Sequence, residues 1–324
     1  MSKAVRIHKF GGPENLVIED VEVGDPGPGE VRLRQEASAV HFADTLVREG
    51  TYFLKPDLPS GLGLEGAGVV EAVGDGVTDF AVGGRAAYRF NLGSYAEARL
   101  IPAAALHHLP DNIEAKIAVA ATVRGMTAQY LIRHIYKAGP DDTVLIHAAA
   151  GGMGTLLTQW AKHLGATVIG TVGSPEKAAL ALENGCDQAI DYRAENFAAR
   201  VLEITDGAGV PAVYDGVGAA VYEGTVECLA PCGFYVNYGH SSGFLPPLDA
   251  MMLNQKSLIF TKASLKDYMR TPEAAKAMLA EVFDLLGQGV LDPQISQEYA
   301  LEDVAKAQRA IASRDTTGSI VLIP

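Results

Sequence analysis

The sequence predicts an α/β chain in which a β-rich unit carries an inserted, doubly wound parallel-sheet domain. Three observations predict it. Short alternating runs broken by Gly and Pro fill residues 1–125, strand and helix patterns alternate over 126–262, and a mixed tail over 263–324 closes on an apolar strand. With 324 residues the chain has enough core for two domains.

In the first region, Ser2-Lys3-Ala4-Val5-Arg6-Ile7 alternates like a strand, and the start has no apolar centre of a secretory leader. Val31-Arg32-Leu33-Arg34 and Gly68-Val69-Val70-Glu71-Ala72-Val73 read the same way. Between such runs lie Pro26-Gly27-Pro28-Gly29, Gly74-Asp75-Gly76 and Gly83-Gly84, which are turn signals and point to a barrel-like unit. The rhythm then changes. Thr143-Val144-Leu145-Ile146 is a β-branched run, and Leu156, Leu157, Trp160, Ala161 and Leu164 share one helical face that stops at Gly165. A second strand follows at 167–172, and Ser174-Pro175 caps and opens another helix that ends near Gly185. Further strands are expected near 212–215 and 234–238, and repeated βα units imply a parallel sheet. In the tail, a helix over 273–286 and a buried strand, Ser319-Ile320-Val321-Leu322-Ile323, are expected to fold back on the first region. The domains are therefore 1–125 completed by 263–324, and 126–262.

Twenty-six basic against 39 acidic residues leave a net charge of −13. That balance disfavours nucleic acid or an anionic membrane as partner, because phosphate neutralisation needs clustered Lys and Arg. Three cysteines, Cys186, Cys228 and Cys232, exclude a disulfide framework and fit a reducing, cytoplasmic setting. Cys228 and Cys232 are spaced to share one side of a helix, as half-buried apolar residues rather than a metal site. No window has the uninterrupted apolar length of a membrane span.

Ala148-Ala149-Ala150-Gly151-Gly152-Met153-Gly154 lies between the first strand and its helix. A dinucleotide turn needs small residues for the bend, bare backbone beside the pyrophosphate, and Gly where helix meets strand. Ala149, Gly151 and Gly154 take those three positions, and the phosphate would sit on the N–H groups of the helix beginning near Gly154. About 20 residues on, an NAD site places a carboxylate for the ribose hydroxyls. This chain has Gly173-Ser174-Pro175-Glu176-Lys177 there. Glu176 falls too late, whereas Ser174 and Lys177 suit a 2′-phosphate, so the cofactor is expected to be NADPH. The bland alternative makes Lys177 a solvated helix residue. Tyr192, after the third strand, packs either on the adenosine or in the core.

These residues and four further stretches resemble the zeta-crystallin-like quinone oxidoreductases of the medium-chain dehydrogenase/reductase superfamily. The stretches are His8-Lys9-Phe10-Gly11-Gly12-Pro13-Glu14, Pro59 through Gly68, Leu253-Asn254-Gln255-Lys256 and Ser264-Leu265. The resemblance runs nearly end to end. It implies a GroES-like first domain, an inserted Rossmann domain, NADPH, metal-free one- or two-electron reduction of quinones, and a homodimer joined by the strand near 258–261. Carried over by motif, cofactor contacts fall on Thr127, Tyr130, Gly152, Met153, Gly173, Ser174, Lys177 and Tyr192. They continue on Val217, Tyr238, Gly239, His240, Ser241, Ser264 and Leu265. The nicotinamide would lie between His41, Thr127 and the loop 238–241.

The chain departs from that family at His41 and His240, where Asn is usual, at Leu46, where Tyr is common, and at Lys262, where Arg is typical. His41 stands where the zinc alcohol dehydrogenases of the superfamily have a Cys ligand. Leu64 replaces their second ligand, no Cys or His occurs near 124–127, and the four-cysteine lobe is missing, so no metal is expected. His41 is then either a polar wall or proton donor of the cleft, or a structural residue. His147 reads as a loop brace, and His107 and His108 as solvated. Hydride delivery needs a held geometry more than a strong protein base. Tyr52 and His41 are candidate proton donors, oriented by Asp44, although Tyr52 serves equally as a packing residue. Three functions compete: quinone reduction, C=C reduction in α,β-unsaturated ketones or aldehydes, and a non-enzymatic NADPH-binding role with or without RNA contact. The charge disfavours RNA, and the intact loop disfavours a purely structural role.

Overall fold

The computed structural model describes residues 1–313 and 316–324, in two compact units: 1–123 with 293–324, and 124–292. In the first unit, the strands Ile295–Ala300, Ser319–Ile323, Glu30–Val40, Glu65–Val73, Arg85–Arg89 and Leu106–His108 follow one another across a seven-stranded sheet. Ala98–Pro102, the seventh strand, also pairs with Glu30–Val40. A smaller sheet holds Leu16–Val21, Ser2–Ile7 and Ser60–Gly61. The closing strand lies where its apolar pattern predicts: Ile320 and Leu322 are buried with Val5, Val40 and Leu64.

The second unit contains a six-stranded sheet, every neighbour pair parallel. Its order is Gln188–Asp191, Thr167–Val172, Thr143–His147, Val210–Asp215, Leu229–Asn237 and Ile259–Lys262. Helices on both faces explain why these strands read as near-continuous apolar runs. Leu145, Ile169, Val213 and Tyr235 are all fully buried. The chain order reverses between Thr143–His147 and Val210–Asp215, and ligands of such sheets bind beyond the strand C-termini at that reversal.

Two expectations are corrected. Residues 263–292 lie in the second unit and not the first. The helix Pro272–Gly287 is held there by Val282, which packs on Gly125, and by Glu281, which takes hydrogen bonds or ion pairs from Gln129 (2.9 Å) and Arg133 (3.1 Å). Cys228 and Cys232 do not share a helix. Cys228 ends the helix Tyr222–Cys228 and is buried, while Cys232 lies exposed in the next strand with φ +60°. Among the described residues no helix is long and apolar enough to cross a membrane.

Candidate functional site

The first strand of the parallel sheet delivers the chain into the glycine-rich turn. Ala148 takes φ +54°, which an L-residue adopts only under local constraint. Two bonds supply it: Ala149 N–H donates to Thr171 O (3.1 Å), and Gly151 N–H donates to Ala148 O (2.9 Å). The helix then starts at Gly152, two residues earlier than expected, and runs to His163. Its N-cap is Gly151, and no side chain caps it. The first-turn N–H groups of Gly152, Met153 and Gly154 therefore face outward with the positive end of the helix dipole, an arrangement that suits a pyrophosphate. Gly154 has no room for a side chain, since a Cβ would run into the Ala148 carbonyl oxygen and stand 2.6 Å from Ala149 Cα. Ala149 in turn fits because Gly170 lies opposite; a Cβ on Gly170 would stand 2.6 Å from the Ala149 methyl.

His147 braces this turn from below. Its Nδ1 and Nε2 lie 2.8 Å from the hydroxyls of Thr171 and Thr225, and the ring is wholly buried. Burial pushes its pKa down to about 4.

At the end of the second strand, Ser174 Oγ accepts Lys177 N–H (3.3 Å), and Pro175 opens the helix Pro175–Glu183 as the sequence indicates. Lys177 thus sits in the first turn beside Gly173. Tyr192 N–H donates to Val172 O (3.1 Å), which brings the third strand's exit alongside. Tyr192 is an exposed ring over Gly173 and not a core residue: a Cβ there would stand 2.7 Å from its hydroxyl. Tyr192 also lines a cavity of about 400 Å³ with Asn196, Phe197, Ala219 and Glu223.

The fourth strand ends in Asp215, a buried hub that sequence reasoning missed. Its Oδ1 accepts the N–H groups of Val217 (2.7 Å) and Gly218 (2.9 Å), and Oδ2 accepts Tyr235 O–H (2.9 Å) and Asn237 N–H (2.7 Å). Through these bonds Asp215 fixes two loops together. Tyr238 N–H donates to Asp215 O (2.9 Å), Ser241 N–H to Gly216 O (3.2 Å), and Ser242 N–H to Val217 O (2.8 Å). Lys262, which stands where Arg is typical, donates to Asn237 Oδ1 and to Gly239 O (3.2 Å), tying the last strand to the same loop. His240 stacks on Phe244, centroids 4.5 Å apart. Val217, Tyr238, Gly239, His240 and Ser241 therefore form one braced surface. Tyr130 is buried and stacked on Tyr268 at 4.5 Å. Thr127 is half-buried one turn earlier, and Ser264 and Leu265 start the short helix Leu265–Tyr268.

In the first unit, His41 Nε2 lies 2.6 Å from Oε2 of the buried Glu65, whose Oε1 accepts Val123 N–H (2.9 Å). No motif in the sequence links His41 and Glu65. Asp44, expected to orient His41 and Tyr52, is wholly buried. Its Oδ2 accepts His41 N–H and Tyr95 O–H, both at 2.8 Å, and burial raises its pKa. It closes the capping box at the start of the helix Phe42–Glu49. Tyr52 is half-buried against Phe53, centroids 4.2 Å apart, and burial keeps its phenol protonated. His107, read as solvated, instead contacts Arg89 (2.5 Å), and His108 stacks on Phe80. Among the described residues no three His, Cys, Asp or Glu side chains come together as a metal donor set. Leu64 lies beside Glu65 and offers no ligand atom.

Residues 27–111 match the alcohol dehydrogenase GroES-like domain family, and residues 152–286 match the zinc-binding dehydrogenase family. The chain is 47% identical over 326 residues to a quinone oxidoreductase of Pseudomonas aeruginosa, with 100% of both chains covered. It belongs to the quinone oxidoreductase family. The fold is accordingly the GroES-like and Rossmann pair of that family. A structure of Escherichia coli quinone oxidoreductase complexed with NADPH matches with a TM-score of 0.94 and 40% identity, covering 99% of this chain and 100% of that one. The chain is also 43% identical to the 2-haloacrylate reductase of a Burkholderia species, covering 100% of this chain and 99% of that protein. Quinone oxidoreductase kinship thus extends over the whole length, through both compact units.

Proposed function

We propose that the protein is an NADPH-dependent quinone oxidoreductase that works without zinc as a cytoplasmic homodimer. The observation that carries the reading is the uncapped helix start at Gly152–Gly154, together with Lys177 and Tyr192 around Gly173. When bound, the reduced nicotinamide supplies a hydride, so that quinone, NADPH and one proton give quinol and NADP⁺. The chain's own residues do the holding. Main-chain N–H groups of 152–154 take the pyrophosphate, and Lys177 and Ser174 take the 2′-phosphate. The loop braced by Asp215 presents Val217 and residues 238–241 to the nicotinamide end, with Thr127, Ser264 and Leu265 beside it. His41, fixed by Glu65 and Asp44, and Tyr52, which keeps its proton, are the polar groups assigned to the acceptor. Full-length kinship with named oxidoreductases leaves a non-enzymatic role without support.

A second reading, reduction of C=C bonds in electron-poor alkenes, is favoured by the similarity to a 2-haloacrylate reductase and by the departures at His41 and Leu46. The deciding experiment follows NADPH oxidation with 1,2- and 1,4-quinones against enones and 2-haloacrylates. Turnover of quinones alone supports the first reading, and turnover of alkenes alone replaces it with the second.

Lys177→Ala is expected to raise the KM for NADPH roughly tenfold with little change for NADH, the worth of one charge-assisted phosphate contact. An unchanged NADPH/NADH ratio would remove the assignment. The strand Ile259–Lys262 pairs with Leu229–Asn237 on one side and ends the sheet. Its open side carries unpaired main-chain groups, which a second copy of the strand would pair. Light scattering is expected to give twice the mass of the 34.1 kDa chain, and a monomeric mass would reject the homodimer.

A further inference from the structure

We propose that Arg193 is a second cation for the 2′-phosphate, so that coenzyme choice is shared between Lys177 and Arg193. The inference rests on the NADPH reading and adds a specificity-determining residue to it. A phosphate monoester carries a charge of about −1.5 to −2 at neutral pH, so a single ammonium leaves a substantial part uncompensated. The chain as a whole carries −13, and its general field repels an anionic coenzyme. Local cations must supply the attraction.

The sheet register places Arg193 where it is needed. Val172 pairs with Asp191, and Tyr192 N–H bonds to Val172 O, so residues 192–193 run directly beside 173–174. A Cβ on Gly173 would stand 3.5 Å from Arg193 Nε, next to the Tyr192 hydroxyl. Arg193 is exposed, and among the described residues no carboxylate lies within ion-pair distance of its guanidinium. Asp191, the nearest acid in sequence, is occupied with the main chain: its Oδ1 accepts the Arg193 backbone N–H at 3.0 Å. Glu176 is the opposing charge in the first turn of the facing helix, and its carboxylate is engaged by the Ser174 hydroxyl. Glu195 is the other acid of this loop. The guanidinium offers a planar pair of donors that fits two phosphate oxygens at once, a geometry the Lys177 ammonium cannot supply.

The test is calorimetric titration of the full chain with 2′,5′-ADP and with 5′-ADP as probes. Arg193→Ala is expected to weaken 2′,5′-ADP about fivefold to tenfold while leaving 5′-ADP unchanged, and Arg193→Lys recovers part of the loss. The thermal midpoint should not move, because the side chain packs on nothing it supports. If Arg193→Ala binds 2′,5′-ADP as the parent does while Lys177→Ala does not, the proposal falls and the NADPH reading stands. If Arg200→Ala, at a half-exposed cation paired with Glu203 at 2.6 Å, gives an equal loss, general attraction explains the effect and the proposal also falls. If the parent protein itself binds 2′,5′-ADP no better than 5′-ADP, the NADPH reading is lost and Arg193 with it.

Discussion

Gly154→Val is expected to weaken binding of the reduced coenzyme by on the order of 100-fold, because the new side chain must displace the turn that holds the pyrophosphate. Even a methyl at this position meets the Ala148 carbonyl oxygen and stands 2.6 Å from Ala149 Cα and 2.9 Å from Ala148 C. These are backbone atoms and cannot swing aside. Ala148 already occupies the left-handed region, so the turn has no unstrained conformation into which to retreat. Either the helix start moves away from the strand or the turn opens, and in both cases the N–H groups of 152–154 cease to converge. Gly139→Ala is the matched control, since its Cβ would meet only Asp142 Oδ2 at 3.9 Å. Quenching of protein fluorescence by NADPH measures both. Equal affinity in Gly154→Val and the parent would mean that the nucleotide does not use this turn.

The strands and helices around the glycine turn are legible in the sequence because their signals are local. A β-branched run, a glycine turn, an apolar helical face and Ser174-Pro175 each act within a few residues, and the structure places them in the expected order, with only the first helix start displaced by two residues. What the sequence hid is long-range. The helix Pro272–Gly287 shows an apolar face but not its partner, and the contacts of Val282 with Gly125 and of Glu281 with Gln129 and Arg133 assign it to the second unit. Asp44 has the same residue type as a reactive carboxylate. Nothing short of its burial and the Tyr95 hydroxyl, 51 positions away, marks it as a cap. Glu65 reaches His41 across 24 positions, and Asp215 gathers Val217 and Gly218 from its own exit loop and Tyr235 and Asn237 from the neighbouring strand. Arg193 gave no motif because its position depends on the register of two strands.

His147 makes the fold sensitive to acid in a calculable way. Thr225 has one hydroxyl proton, and it is committed to Val221 O at 2.7 Å, so Thr225 accepts from His147 Nε2–H. Nδ1 then accepts from the Thr171 hydroxyl. The ring is held neutral with both nitrogens satisfied, and a second ring proton would face a hydroxyl proton in a dry interior. Burial is the larger influence and lowers the pKa; the charge of Asp215 opposes it and is outweighed, leaving about 4. An unfolded histidine titrates near 6.5. Because the folded value lies below the unfolded one, the unfolded chain binds more protons between the two. The contribution of His147 is therefore complete above about pH 6.5 and is lost as the pH falls toward 4, a total of about 3 kcal/mol. Asp44 acts in the opposite sense: its pKa is raised by burial, so its contribution is lost as pH rises. The useful measurement is thus a difference. Urea unfolding of the parent and of His147→Gln, which keeps a donor and an acceptor but cannot titrate, isolates the histidine from Asp44 and every other group. The parent should lose stability more steeply between pH 6.5 and 4.5, by up to about 1.4 kcal/mol per pH unit. Parallel pH profiles for the two proteins would show that the imidazole is not held neutral beneath the glycine turn.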